Sequence, residues 1–221
     1  MTTTTPPTSP LESAPHVLIV HGFGASPEDH WFPWLARALP RAERIELPDP
    51  TAPSAGRWVP LVAEALARLG DGTAVVAHSL GNATVLQALR GLAVDGRPVR
   101  LSTFVGVAPF VSSVPPTGDP ELDAFLVGRD GTVPAQHAFY EGLDLAALRP
   151  RLGAVRVLRS DDDPIVPAGL SDDVADALGV RAEVIAGAGH LLASDGVTRL
   201  PVLLDGAAPD DSAAEGAADG R

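Results

Sequence analysis

Short apolar runs alternate along the chain with longer stretches in which apolar residues recur every three or four positions. His16-Val17-Leu18-Ile19-Val20 is β-branched and continuously apolar, as expected of a strand covered on both faces. Thr73 to His78 and Leu101 to Val107 are apolar in the same way, Arg41 to Leu47 supplies a short second strand, and Ala154 to Ser160 and Arg181 to Ala186 are the last two strands. Between them, Trp58, Leu61, Val62, Ala65, Leu66 and Leu69 repeat at helical spacing, as do Ala83, Leu86, Leu89 and Leu92. A further helix is expected from Pro33, which is tolerated at a first helical position, another over 167–178, and a closing helix over 197–204. Strands alternating with helices predict an α/β fold, a mainly parallel sheet of about six strands with helices on both faces. In such a sheet ligands bind beyond the carboxyl ends of the strands.

The ends and one internal stretch break the alternation. Residues 1–14 are rich in Thr, Pro and Ser, with too little apolar surface to offset the entropy of ordering, and 205–221 is an Ala, Gly and Asp stretch with no apolar face. Both are expected to be disordered tails around a domain spanning 15–204. Residues 109–145 have no clean period, apart from a short apolar helix-like patch around Leu122 to Val127, and read as an irregular insertion or lid; lying just past a strand's carboxyl end, it could cover a site.

A chain of 221 residues suits one domain, so a single site is sought. The net charge of -12 argues against nucleic acid as a partner, because phosphates demand a basic surface. The absence of cysteine removes disulfides, thiolate nucleophiles and cysteine metal sites together. The first ten residues lack a basic start and an apolar core, and no apolar run approaches the ~20 residues that span a bilayer, so the expectation is a cytoplasmic protein without a membrane role.

The chemistry centres on Thr73-Ala74-Val75-Val76-Ala77-His78-Ser79-Leu80-Gly81, where an apolar run ends at a serine and a glycine before a helical pattern begins. This is the pattern of a nucleophile elbow, in which a sharp strand-to-helix turn holds one side chain above the sheet edge. Small residues are needed two places either side of Ser79; Gly81 meets that demand, and Ala77 stands where glycine is usual. A bland reading makes Ser79 only the N-cap of the following helix. His21-Gly22-Phe23-Gly24 follows the first strand, and a dinucleotide-binding loop is disfavoured because Pro27 stands where the third glycine belongs. In acyl transfer the same loop supplies an oxyanion donor, the Phe23 N–H, alongside the Leu80 N–H after the nucleophile.

A serine nucleophile needs a histidine base and a carboxylate to orient it. Of six histidines, only His190 follows the last strand within a glycine loop, Gly187-Ala188-Gly189-His190. The carboxylate falls in Asp161-Asp162-Asp163 after the preceding strand; spacing to Val166-Pro167 favours Asp163, with Asp162 as the alternative. Chain order is then Ser, Asp, His, the order used by α/β-hydrolases.

Taken together, Val17-Leu18-Ile19-Val20-His21-Gly22-Phe23, His30-Trp31-Phe32-Pro33-Trp34-Leu35, Val76-Ala77-His78-Ser79-Leu80-Gly81, Asp162-Asp163-Pro164-Ile165-Val166-Pro167 and Gly189-His190 give the chain its family likeness. It resembles the small α/β-hydrolase-fold serine hydrolases related to retinoblastoma-binding protein nine, and most closely the bacterial YdeN-like esterases. The resemblance implies a minimal α/β-hydrolase fold lacking the antiparallel strands that open larger relatives. Residues and resemblance together lead to the expectation of a serine hydrolase that cleaves a small-molecule ester through an acyl-enzyme, with catalytic Ser79, Asp163 and His190, and with neither metal nor cofactor. The competing expectation is a protein-binding module on a hydrolase scaffold, with slow turnover or none.

Overall fold

Six strands, β1 (Val17–Val20), β2 (Ala42–Ile45), β3 (Ala74–His78), β4 (Thr103–Val107), β5 (Ala154–Ser160) and β6 (Ala182–Ile185), form one sheet in the order β2-β1-β3-β4-β5-β6. Every neighbouring pair is parallel. The computed structural model describes residues 9–128 and 133–205. Its helices are α1 (Pro10–Ser13), α2 (Phe32–Ala38), α3 (Ala55–Leu69), α4 (Leu80–Val94), α5 (Pro120–Leu126), α6 (Leu145–Leu148) and α7 (Ala168–Ala177).

The continuous apolar runs are explained by the sheet's position. Every residue of β1, β3 and β4 is buried, whereas the edge strands β2 and β6 are partly exposed. Because successive side chains point to opposite faces, Leu18, Val20, Val75, Ala77 and Phe104 enter one core, with α3, α4, α7 and the 109–145 insertion. Val17, Ile19, Val76, Val105 and Val107 enter the other, with α1, α2, Leu200 and Leu203. Each fully buried aliphatic side chain in these layers contributes roughly 1.5–3 kcal/mol relative to exposure. Two covered faces force the sheet's functional groups to its ends, and all six strands present their carboxyl ends on the same side.

Three expectations need correction. The expected tail 1–14 is ordered from Ser9: the Ser9 hydroxyl accepts the Leu11 N–H, Glu12 returns a carboxylate to the Ser9 N–H, and Leu11 is buried. A reciprocal cap with proline at the first turn lets one apolar residue dock a four-residue helix. The insertion holds α5, where a helix-like patch is expected, but it is less irregular than expected beyond it, with a 3-10 turn over Ala135–Phe139, and Phe110, Val114, Phe125 and Phe139 join the first core. The closing helix is absent: Gly196 takes a left-handed conformation and Pro201 cannot donate, so the chain forms only 3-10 turns at Ala193–Asp195 and Pro201–Leu204. Residues 1–8 and 206–221 of the expected tails, and 129–132 of the insertion, lie outside the described residues. Among the described residues no helix is long and apolar enough to cross a membrane.

Candidate active site

The turn from β3 into α4 places Ser79 at φ 51°, ψ -125°, a conformation that costs a non-glycine residue about 1–3 kcal/mol. Neighbours hold it there. The Ser79 N–H donates to the Val107 carbonyl at 2.9 Å, and the Asn82 amide donates to the carbonyls of Ser79 (2.9 Å) and Val107 (3.0 Å). The turn is tight enough that a Cβ at Gly81 would lie 2.6 Å from the His21 carbonyl oxygen, and one at Gly22 would lie 2.9 Å from the Ser79 Cβ. Ala77 keeps its methyl buried in the first core.

Three side chains from three strand ends meet at this point. His190 Nε2 lies 3.0 Å from Ser79 Oγ, and His190 Nδ1 lies 2.7 Å from Asp163 Oδ2. The side chains of His190 and Asp163 are only 5% and 3% exposed, which keeps the pair out of competing water. The second Asp163 oxygen accepts the N–H groups of Ile165 (2.8 Å) and Val166 (2.9 Å), fixing the carboxylate's angle. A carboxylate cannot donate, so the Nδ1–H is the donor and Nε2 is left to accept the Ser79 hydroxyl proton.

The adjacent aspartates hold the histidine loop by its backbone. Asp161 accepts the Gly187 N–H at 2.8 Å, and Asp162 accepts the Gly189 N–H at 2.8 Å together with the Ser160 hydroxyl. That hydroxyl first, and the Gly189 N–H second, hold the Asp162 carboxyl below the usual carboxylate range. Asp195, which no sequence pattern singles out, accepts the His190 N–H at 2.9 Å and the Leu192 N–H at 3.0 Å.

The other face of the loop is held by the His30-Trp31-Phe32 segment, whose aromatics pack in the second core. The Trp31 indole donates to the Leu191 carbonyl at 3.2 Å, and His30 Nδ1 accepts the Ala193 N–H at 3.1 Å. His78 points into the same region and donates Nε2–H to the His190 carbonyl at 2.9 Å. Its Nδ1 is buried without a partner among the described residues, and burial drives the ring well below its ordinary pKa of 6.5. His21 is a strut: Nδ1–H donates to the Gly22 carbonyl at 2.9 Å and Nε2 accepts the Leu47 N–H at 3.1 Å. His16 sits exposed before β1 and His137 lies in the insertion, so His190 alone reaches Ser79.

Phe23 and Leu80, whose N–H groups are the two expected oxyanion donors, line one recess with Ser79. The Leu80 N–H opens α4 and has no carbonyl one turn back; neither it nor the Phe23 N–H has an acceptor among the described residues. Beside Ser79 lies an apolar recess walled by Phe23, Phe110, Val114, Phe125, Leu126 and Val166. Among the described residues no three His, Cys, Asp or Glu side chains gather as metal ligands.

Comparison with known proteins agrees with this architecture. The family model described as serine hydrolase matches residues 17–206. YdeN of Bacillus subtilis (strain 168), which carries the name of a hydrolase, is 30% identical over 193 residues, covering 86% of this chain and 92% of YdeN. The crystal structure of the B. subtilis ydeN gene product superposes with a TM-score of 0.72 at 28% identity, over 86% of this chain and 94% of that one. The esterase RhEst1 of Rhodococcus sp. ECU1013 shares the fold, with a TM-score of 0.57 at 17% identity over 81% and 84% of the two chains. The fold is therefore that of the α/β-hydrolases, in a form with six parallel strands.

Proposed function

The chain belongs to the serine hydrolase family, and on that footing we propose that it is a carboxylesterase-type enzyme working through an acyl-enzyme on Ser79. The observation that carries this reading is the continuous bonding from Ser79 Oγ through the His190 ring to Asp163, at 3.0 and 2.7 Å. In the first half-reaction His190 Nε2 takes the hydroxyl proton as Ser79 Oγ bonds to the ester carbonyl carbon. The negative charge that develops on the carbonyl oxygen is met by the Phe23 and Leu80 N–H groups, at the positive end of α4. Collapse of the tetrahedral adduct breaks the bond to the alkoxy oxygen, which leaves with the proton held by His190. Water then attacks the acyl carbon, gives its proton to His190, and releases the acid as Ser79 regains its hydrogen.

Asp163 keeps the imidazole in the productive tautomer and stabilises the imidazolium formed twice per cycle. The strained turn at Ser79 supports the same role, because it holds Oγ at the strands' carboxyl ends, facing His190, while the backbone stays bonded to β4. Treatment of the folded protein with a fluorophosphonate, followed by peptide mapping, tests the reading. A single adduct on Ser79 is expected; an unlabelled protein would favour a binding module on this scaffold.

A further inference from the structure

The recess beside Ser79 is apolar on every side except for the serine itself, so no charged side chain is present to meet a charged acyl group. Its envelope is about 240 Å³ with the mouth included, but only about 10 Å³ of it can take the centre of a water molecule, so it has room for about one water-sized group or little more. The acyl group of an ester bonded to Ser79 Oγ has this recess as its nearest apolar space.

One wall of the recess is α5, through Leu122, Phe125 and Leu126, and α5 is tied down at both ends. Gln136, 1% exposed, accepts the Val114 N–H at 3.1 Å and donates to the carbonyls of Val114 and Leu126, so one buried amide joins the end of α5 to the strand-side wall. At the other end Asp119 caps the helix, and the Asp123 carboxylate accepts the Thr117 and Gly118 N–H groups at 2.6 and 2.9 Å. The Phe125 ring lies between Phe23 and the fully buried Phe139, with centroids at 5.3 and 5.9 Å. Swinging α5 away would break the bond from the Gln136 amide to the Leu126 carbonyl and pull Phe125 from between Phe23 and Phe139, so the wall acts as a fixed cap.

We propose that this site takes short, uncharged acyl groups of about two to four carbons, and that Phe125 sets the upper length. The inference rests on the acyl-enzyme reading and adds the substrate class to it. A methyl group occupies about the volume of one water, so an acetyl group enters with small rotamer adjustments. Each further methylene claims that volume again, and the Phe125 ring, held between Phe23 and Phe139, is part of the wall it meets.

The test is kcat/KM over a series of p-nitrophenyl esters from acetate to octanoate, on the wild type and on Phe125→Ala, with Phe125→Leu as the smaller change should the alanine variant fold poorly. The wild type is expected to prefer acetate and propionate and to lose about tenfold or more by hexanoate. The Phe125 variants should raise the octanoate-to-acetate ratio by about tenfold or more. A wild type that prefers octanoate, or a Phe125 variant with an unchanged length profile, overturns the inference while leaving the acyl-enzyme intact. Failure of every ester together with no fluorophosphonate adduct on Ser79 overturns both.

Discussion

His78 donates its Nε2–H to the carbonyl oxygen of His190 at 2.9 Å, so the residue before the proposed nucleophile holds the backbone of the proposed base. With Asp195 on the His190 N–H, both polar backbone groups of His190 are held by side chains. The Ser79–His190 separation is thus set from the β3–α4 turn itself.

Replacing His78 by leucine removes that donor and leaves a buried carbonyl unpaired, which costs about 1–3 kcal/mol. A displacement of about 1 Å in the base is enough to lower kcat on the order of 10²-fold. The expected result is a fall of that order in kcat with KM little changed, and substantial rescue in His78→Gln, whose amide N–H can reach the same carbonyl. Steady-state kinetics on the two variants, alongside their melting temperatures, check this.

His21, His30 and His78 all have pKa values lowered from 6.5, in each case mainly by burial. The fold therefore favours their neutral forms, and below pH 6.5 the unfolded chain binds more protons than the folded one. Their contribution to stability is present above pH 6.5 and is lost as the pH falls below it, by up to about 1.4 kcal/mol per pH unit for a fully buried ring such as His78. Thermal melts should show a Tm that drops between pH 6.5 and 5, with a shallower slope in His78→Leu; a flat profile would contradict the assignment.

The three consecutive aspartates should separate by function. Asp163→Asn presents an amide to His190 Nδ1 and upsets the tautomer, for an expected loss on the order of 10⁴ in kcat. Asp162→Asn keeps an oxygen for the Gly189 N–H and should cost less than about tenfold. Parallel kinetics on both variants read out the difference.

A methyl at Gly22 would lie 3.3 Å from the Leu80 nitrogen as well as against Ser79. Gly22→Ala should therefore block the space where the oxyanion forms and lower kcat by about 10²–10³-fold, as for loss of one oxyanion donor. A variant that folds and turns over at the wild-type rate would remove the Phe23 and Leu80 N–H groups from the mechanism.

The architecture was legible in the sequence where burial leaves a simple pattern. β5 spans Ala154–Ser160, the limits expected for it, because Val157 and Leu158 at its centre lie under other elements on opposite faces. Ser79, Asp163 and His190 could be paired from chain order because parallel strands bring all their carboxyl ends to one side. The Ser9-to-Glu12 cap has the S-x-x-E spacing, but the surrounding Thr and Pro carry no apolar period that would mark a helix. The roles of Asp195, Asn82 and the Trp31 indole depend on carbonyls and N–H groups supplied by loops distant in sequence or shaped by the fold. No periodicity marks such contacts.

The most direct test of the account is the kcat of Ser79→Ala on p-nitrophenyl acetate, measured beside wild type at equal folded concentration. The account predicts a loss on the order of 10⁶, down to background hydrolysis, with the melting transition retained. Turnover within about tenfold of wild type, against that predicted loss, would contradict a covalent role for Ser79.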